Sequence, residues 1–214
     1  MKKCVVLLSG GIDSSTTLFL AKDAGFSVYA LFIRYNQRHI KEFESASNVA
    51  KKAEVPLYTA TLRIPLWKSS LIPSSGLRVR TSPITSNIPQ TYVPSRNIIF
   101  LSIAFAFAES IGARDIFIGA NCIDYSGYPD CTPKFFNSLQ KVFSKGTKMG
   151  VQGNPIKIHT PLLRYTKSKI VRLGFKIGVP IHMTWSCYLG EDKPCGKCDS
   201  CRIRNKALKD YDKR

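Results

Sequence analysis

Ser9-Gly10-Gly11-Ile12-Asp13-Ser14-Ser15 places two glycines, three hydroxyls and a carboxylate directly after the apolar run Val5-Val6-Leu7-Leu8. The run reads as a short buried strand, and Thr16-Thr17-Leu18 resumes a pattern that suits a helix. A strand that turns into a helix through small residues points free backbone N–H groups and a helix dipole at whatever lies in front of it. Gly10 and Gly11 can take positive φ and let a phosphate approach the backbone. Leu8, Ser9, Gly10, Gly11, Ile12, Asp13, Ser14, Ser15, Thr16, Thr17 and Leu18 therefore form a candidate nucleotide-binding segment. No lysine follows the glycines, so this is not the common P-loop. A carboxylate beside a polyphosphate needs a cation between them, which implies Mg²⁺ shared by Asp13 and the phosphates. The plainer alternative is a Ser or Asp acting as an ordinary helix cap. It leaves the two glycines and the further hydroxyls unused.

A second constellation lies near the other end. Cys187, Cys195, Cys198 and Cys201 give C-x7-C-x2-C-x2-C. Two thiolates from a C-x2-C turn can share one ion, and four satisfy tetrahedral Zn²⁺ with no open position, so the site reads as structural. An iron–sulfur cluster is the competing occupant, but its run carries the fourth cysteine downstream and followed by proline. Here the fourth lies upstream, and the spacing favours zinc. Of the three other cysteines, Cys4 reads as core, and Cys122 and Cys131 as structural, since neither has a His or Lys beside it to lower its pKa.

The chain has 214 residues, 44% of them hydrophobic, which suits one domain or one with a small appendage. Its longest apolar run, Ile98 to Ala108, is well short of the roughly 20 residues a membrane span needs. The apolar stretch after Lys2 and Lys3 is too short for a secretory signal, so a cytoplasmic protein is expected. Net charge is +18, divided as +5 over residues 1–133 and +13 over residues 134–214. Such an excess fits RNA as a partner, and fits a solvated basic surface equally well.

Residues around these constellations must form elements that hold them in place. Helices are expected over Ser14–Lys22, Glu42–Glu54, Asn97–Gly112, Pro133–Ser144 and Thr166–Ile177, the third buried on most sides. Strands are expected over Val28–Ile33, Leu57–Ile64, Asp115–Ala120 and Ile156–Ile158. This alternation is the doubly wound α/β pattern with a parallel sheet. Ligands in such sheets bind beyond the strands' C-terminal ends, which puts Ser9–Ser15, Arg34–His39 and the segment after Ile64 on one rim. Residues 63–93, rich in Ser and Pro and free of acids, read as a long loop, either a lid or a disordered excursion. A nucleotide-binding body over 1–180 and a zinc segment over 181–214 are the expected parts.

The glycine stretch resembles the S-G-G-x-D-S loop of the ATP pyrophosphatase (PP-loop) superfamily, whose members transfer AMP to an oxygen of the substrate. That resemblance makes the loop the holder of the departing pyrophosphate. Further stretches narrow it. Tyr35-Asn36-Gln37-Arg38-His39 with Glu42, Ile88-Pro89-Gln90-Thr91-Tyr92-Val93-Pro94-Ser95-Arg96-Asn97, Asp124-Tyr125-Ser126-Gly127-Tyr128-Pro129-Asp130-Cys131, Thr160-Pro161-Leu162 and the four cysteines occur in order. Together they resemble the 7-cyano-7-deazaguanine synthase family over nearly the full length. The resemblance implies an adenine nucleotide alpha hydrolase-like fold and 7-carboxy-7-deazaguanine, ammonia and ATP as substrates. It implies that the carboxylate is adenylated and aminated, and that the amide is then activated and dehydrated to the nitrile. A homodimer is also implied, and nucleic acid is not required.

On that footing Arg38 and Arg96 are candidates to clamp the substrate carboxylate or the α-phosphate, and His39 to handle protons. For His39 a structural role is the commoner alternative. Asp124, Ser126 and Asp130 are candidates to hold the guanine-like N–H groups, against loop capping for either aspartate. Lys167 is read as a solvated helix-face residue, with a phosphate contact as the alternative. Asn36 and Ser95 stand where the family motifs carry glycine, and Lys169 where a Glu is expected. A tRNA-modifying PP-loop enzyme, thiolase or lysidine-type ligase, is the enzymatic rival, and a zinc-ribbon nucleic-acid-binding module the non-catalytic one.

Overall fold

The computed structural model describes residues 1–35, 41–64, 68–79, 88–121, 127–189 and 192–212. Five strands, β1 (Lys3–Leu7), β2 (Ser27–Arg34), β3 (Leu57–Thr61), β4 (Asp115–Ile118) and β5 (Lys157–His159), form one sheet in the order β3-β2-β1-β4-β5. Every pairing is parallel, with Val5 opposite Tyr29 on one side and Ile116 on the other. The expected doubly wound class is what the chain forms. β3 stops at Thr61, three residues before the expected end.

Parallel strands need helical crossovers, and the helices cover both faces. They are α1 (Ile12–Asp23), α2 (Lys41–Lys52), α3 (Arg96–Ile111), α4 (Pro133–Gly146), the one-turn α5 (Lys148–Val151), α6 (Lys167–Lys176) and α7 (Asp199–Asp212). Side chains alternate across β1: Val5 and Leu7 pack towards α3 and α4, while Cys4, Val6 and Leu8 pack towards α1 and α2. A third cluster joins Ile12 of α1 to Ile170 and Val171 of α6 and Ala207 of α7.

Two expectations need correcting. The third helix is buried along one face only: Leu101, Ala104, Phe105 and Ala108 are inside, whereas Ile98, Ser102, Ala106 and Ser110 are exposed. Its apolar composition on all sides concealed which side packs. The C-terminal residues also form a full helix, α7, that composition did not reveal, because it buries only Ser200, Cys201 and Ala207 amid charged residues.

The chain builds β2 and β3 on one side of β1, then crosses to β4 and β5 on the other. The reversal leaves a crevice at the C-terminal ends of β1 and β4, where ligands bind in open α/β sheets. The glycine stretch leaves β1 at that crevice.

Candidate active site and metal centre

The turn after β1 is shaped by close backbone packing. Gly10 has φ +80°, and a Cβ there would lie 2.6 Å from the Glu42 carbonyl oxygen and 2.7 Å from Ala46 N. Only glycine fits. Gly11, by contrast, is extended at φ −79° and is the residue before α1. No side chain caps that helix start, so the ordinary-cap alternative is not what the chain does. Ser14 instead ties the turn: its hydroxyl donates to the Gly11 carbonyl at 3.1 Å, accepts from Ser9 N at 3.2 Å and lies 3.0 Å from the Ser9 hydroxyl.

These residues line a cleft of about 270 Å³. Leu8, Ser9, Gly11, Ile12, Asp13 and Ser14 form its floor, as the candidate segment implies. Ser15, Thr16, Thr17 and Leu18 belong to the same predicted segment but are fully or almost fully buried in helix packing. A Cβ on Gly174 of α6 would come 3.2 Å from the Thr16 hydroxyl.

Asp13 does not face the cleft alone. Lys167 Nζ donates to both its carboxylate oxygens, at 2.6 and 2.7 Å, and both side chains are largely buried. The expectation of a solvated Lys167 is therefore overturned. Thr166 caps α6 by accepting from Lys169 N, which aims the first residue of the helix, Lys167, into the crevice. Lys167 thus supplies a positive charge where the sequence asked a metal ion to offset Asp13.

Across the cleft, Arg96 opens α3 and is half-buried. Burial alone pulls its guanidinium down, but the acidic groups of Tyr35, Tyr128, Cys131 and Asp130 around it reverse that and leave it raised. It is a permanent cation held among groups that can accept from it. Burial raises the Tyr35 hydroxyl, partly offset by the charge of Arg96 and a hydrogen bond from it. Desolvation likewise pushes the Glu42 carboxyl up to about 7, with Arg96 pulling the other way.

Asp130 is 4% exposed and its Oδ2 accepts from Asn97 N at 3.1 Å, so it caps the start of α3. Asn97 Nδ2 returns two bonds, to the Asp130 carbonyl at 2.9 Å and to Cys131 Sγ at 3.3 Å. The carboxylate caps a helix 33 positions away rather than its own loop, and it fixes the start of α3 from which Arg96 projects. Ser95 takes the left-handed conformation, φ 56°, that glycine takes more easily. Arg38, His39, Asp124, Ser126 and Cys122 lie outside the described residues.

The four cysteine sulfurs all lie within 4.8 Å of one another, with Cys195 Sγ and Cys201 Sγ 4.0 Å apart. A tetrahedral ion with metal–sulfur bonds of about 2.3 Å needs sulfurs about 3.8 Å apart, so the cluster can hold a metal ion. Desolvation works against the Cys195 thiolate, but backbone N–H groups of Cys198 and Lys197 bring that thiol down to about 7. Burial raises the Cys198 and Cys201 thiols, so a bound cation would be what draws their protons off.

This centre also walls the cleft. Trp185 N donates to the Gly10 carbonyl at 2.9 Å, and Trp185, Ser186 and Tyr188 line the cavity. Arg204 of α7 donates to Thr184 Oγ1 at 2.7 Å and to the Ile181 carbonyl at 2.9 Å, holding the segment in place. Sequence reasoning gave no role to Glu42, Asn97, Trp185 or Tyr188. Glu42 and Asn97 carried a signal, since each closes one of the matched motifs.

A parallel sheet with a glycine turn at its switch point, an acid–lysine pair behind it and a four-cysteine centre beside it define a PP-loop type of nucleotide-binding enzyme. Over residues 3–212 the chain matches the family described as "Queuosine biosynthesis protein QueC", and it belongs to that family. It is 50% identical over 210 residues to a 7-cyano-7-deazaguanine synthase from Thermoplasma volcanium, covering 97% of this chain and 86% of the relative. Synthases of that name from Nostoc punctiforme and Prochlorococcus marinus are each 46% identical, covering 94% and 98% of this chain and 92% and 95% of theirs. Two solved structures share the fold at low identity. An NMN synthetase from Francisella tularensis has a TM-score of 0.52 at 15% identity, covering 98% of this chain and 84% of that one. A predicted tRNA methyltransferase subunit from Methanocaldococcus jannaschii has a TM-score of 0.53 at 17%, covering 99% and 89%.

Proposed function

We propose that this chain converts 7-carboxy-7-deazaguanine and ammonia to 7-cyano-7-deazaguanine, consuming ATP in two activations. The observation that carries the proposal is nearly full-length identity of 46–50% to synthases of that name. The cleft supports it chemically. A carboxylate is a poor electrophile, so AMP must be attached before an amine can displace oxygen. The turn from Ser9 to Ser14 offers N–H and hydroxyl donors to pyrophosphate, and Lys167 offsets the charge of Asp13 there. Arg96 stands across from them, suited to the α-phosphate or the substrate carboxylate. Arg38 is assigned to the same task, His39 to proton handling, and Asp124 and Ser126 to the deazaguanine edge, while Asp130 fixes the start of α3 from which Arg96 projects.

Mg²⁺ entering with ATP would supply further charge neutralisation at the phosphates. Cys187, Cys195, Cys198 and Cys201 would hold a structural Zn²⁺, which organises the wall carrying Trp185 and Tyr188. We further assign the chain to the cytoplasm, as a homodimer, with residues 1–180 binding nucleotide and 181–214 forming the zinc segment. No described helix is long and apolar enough to cross a membrane. The test is to supply ATP, ammonium and 7-carboxy-7-deazaguanine and follow nitrile by mass alongside AMP and pyrophosphate. Two AMP per nitrile is expected. ADP, or AMP without nitrile, overturns the proposal.

A further inference from the structure

Elimination of an activated amide to a nitrile needs a group that accepts a proton from nitrogen. Two described residues put carboxylates on the cleft wall, Asp13 and Glu42. Asp13 is committed through both oxygens to Lys167. Asp130 is occupied at the start of α3. Glu42, in the first turn of α2, is half-buried, and among the described residues no hydrogen bond or ion pair claims its carboxylate.

We propose that Glu42 is the general base that accepts the proton shed by nitrogen when the adenylated amide collapses to the nitrile. This rests on the synthase reading above. In that step the C–O bond to AMP breaks and its electron pair leaves on AMP. The N–H bond breaks, its pair becomes the new C–N π bond, and the proton passes to a Glu42 carboxylate oxygen. No oxidant or reductant is involved. Arg96 lines the same cleft as Glu42 and its charge acts on that carboxyl, so a cation suited to the departing phosphate shares the cleft with the proton acceptor. Elimination uses both groups at once.

The surroundings favour a base that works near neutral pH. Desolvation holds the Glu42 carboxyl at about 7, opposed by Arg96 from α3. The other described titratable groups lining this cleft are Tyr35, the Asp13–Lys167 pair, Tyr128, Cys131 and Tyr188, and on α2 itself Lys41 pairs with Glu44 and Asp192. The carboxylate is the active form, so nitrile formation should fall as pH drops through about 7.

The experiment supplies the amide, 7-amido-7-deazaguanine, with ATP, which removes the titration of ammonium from the readout. Glu42→Gln should lower nitrile formation about 10²- to 10³-fold. Isotope exchange between pyrophosphate and ATP, driven by 7-carboxy-7-deazaguanine without ammonia, should fall less than about tenfold, since adenylation sheds no proton from nitrogen. Wild-type enzyme should show an acid limb near 7 in nitrile formation but not in exchange, and Glu42→Asp should restore part of the rate. The proposal is overturned if both readouts fall together in Glu42→Gln, if Glu42→Gln keeps more than about a tenth of the nitrile rate, or if His39→Gln and not Glu42→Gln removes the acid limb. Wild-type enzyme that shows no exchange driven by 7-carboxy-7-deazaguanine would instead overturn the synthase reading.

Discussion

Lys167 Nζ bridges both carboxylate oxygens of Asp13, at 2.6 and 2.7 Å, although 154 positions separate the two in sequence. Removing one member strands a buried charge, so Asp13→Asn and Lys167→Met should each cost about 3–5 kcal/mol in urea unfolding. The double variant should cost clearly less than the sum, because the pair is removed whole. AMP release should drop at least about 100-fold in all three, since Lys167→Met removes the positive charge at the cleft floor and Asp13→Asn removes the carboxylate that positions it. Recovered stability without recovered activity would separate the two roles of the pair.

Gly119 makes a second demand on the same turn. It follows β4, and a Cβ there would lie 2.8 Å from Asp13 C and Ser14 N, both backbone atoms that cannot rotate away. Gly119→Ala should push the start of α1 off the sheet, at about 1–3 kcal/mol of stability. The proposed function gives that turn the donors for pyrophosphate, so nucleotide affinity should weaken as well. Thermal unfolding and fluorescence titration with a non-hydrolysable ATP analogue measure the two effects.

Short-range order was legible in the sequence and long-range pairing was not. The step from Val5–Leu8 into Ser9–Ser15 declares itself, because strand, turn and helix succeed one another within a few residues. The parallel sheet follows from alternating strands and helices, and the spacing of the four cysteines marks them as a set able to share one ion. Lys167 looked solvated because nothing near it in sequence reveals that the Thr166 cap directs it into the crevice. Asp130 could be a substrate ligand or a cap by residue type alone, and only the placement of Asn97 beside it decides for the cap. α7 was missed because most of its surface is charged, and its buried side rests on a handful of small residues.

Ser95 stores strain where the family motif carries glycine. Its φ of 56° is a left-handed conformation that costs a residue with a Cβ about 1–2 kcal/mol. Glycine forfeits part of that difference through its freer unfolded chain. Ser95→Gly should therefore stabilise the protein by about 0.5–1 kcal/mol, while Ser95→Ala, equally strained, should give no gain. The midpoint of chemical unfolding reports both, with unchanged denaturant dependence expected.

The segment leading to the four-cysteine centre is tied to the glycine turn by a hydrogen bond from Trp185 N to the Gly10 carbonyl at 2.9 Å. Cys187 lies two residues beyond Trp185, and the indole Nε1 donates to its carbonyl at 3.0 Å, so the tryptophan is fastened at both ends. A chelator strong enough to strip the ion should free four thiols, three of them buried, to titrate with a thiol reagent and change the fluorescence of Trp185. Nucleotide affinity should fall in parallel, by roughly the tenfold that loss of one hydrogen bond of about 1–1.5 kcal/mol allows. Cys187→Ser should reproduce both effects without chelator. If affinity for nucleotide is unchanged in the metal-free protein, the wall carrying Trp185 holds its shape by packing alone, and the centre stabilises α7 without supporting the cleft.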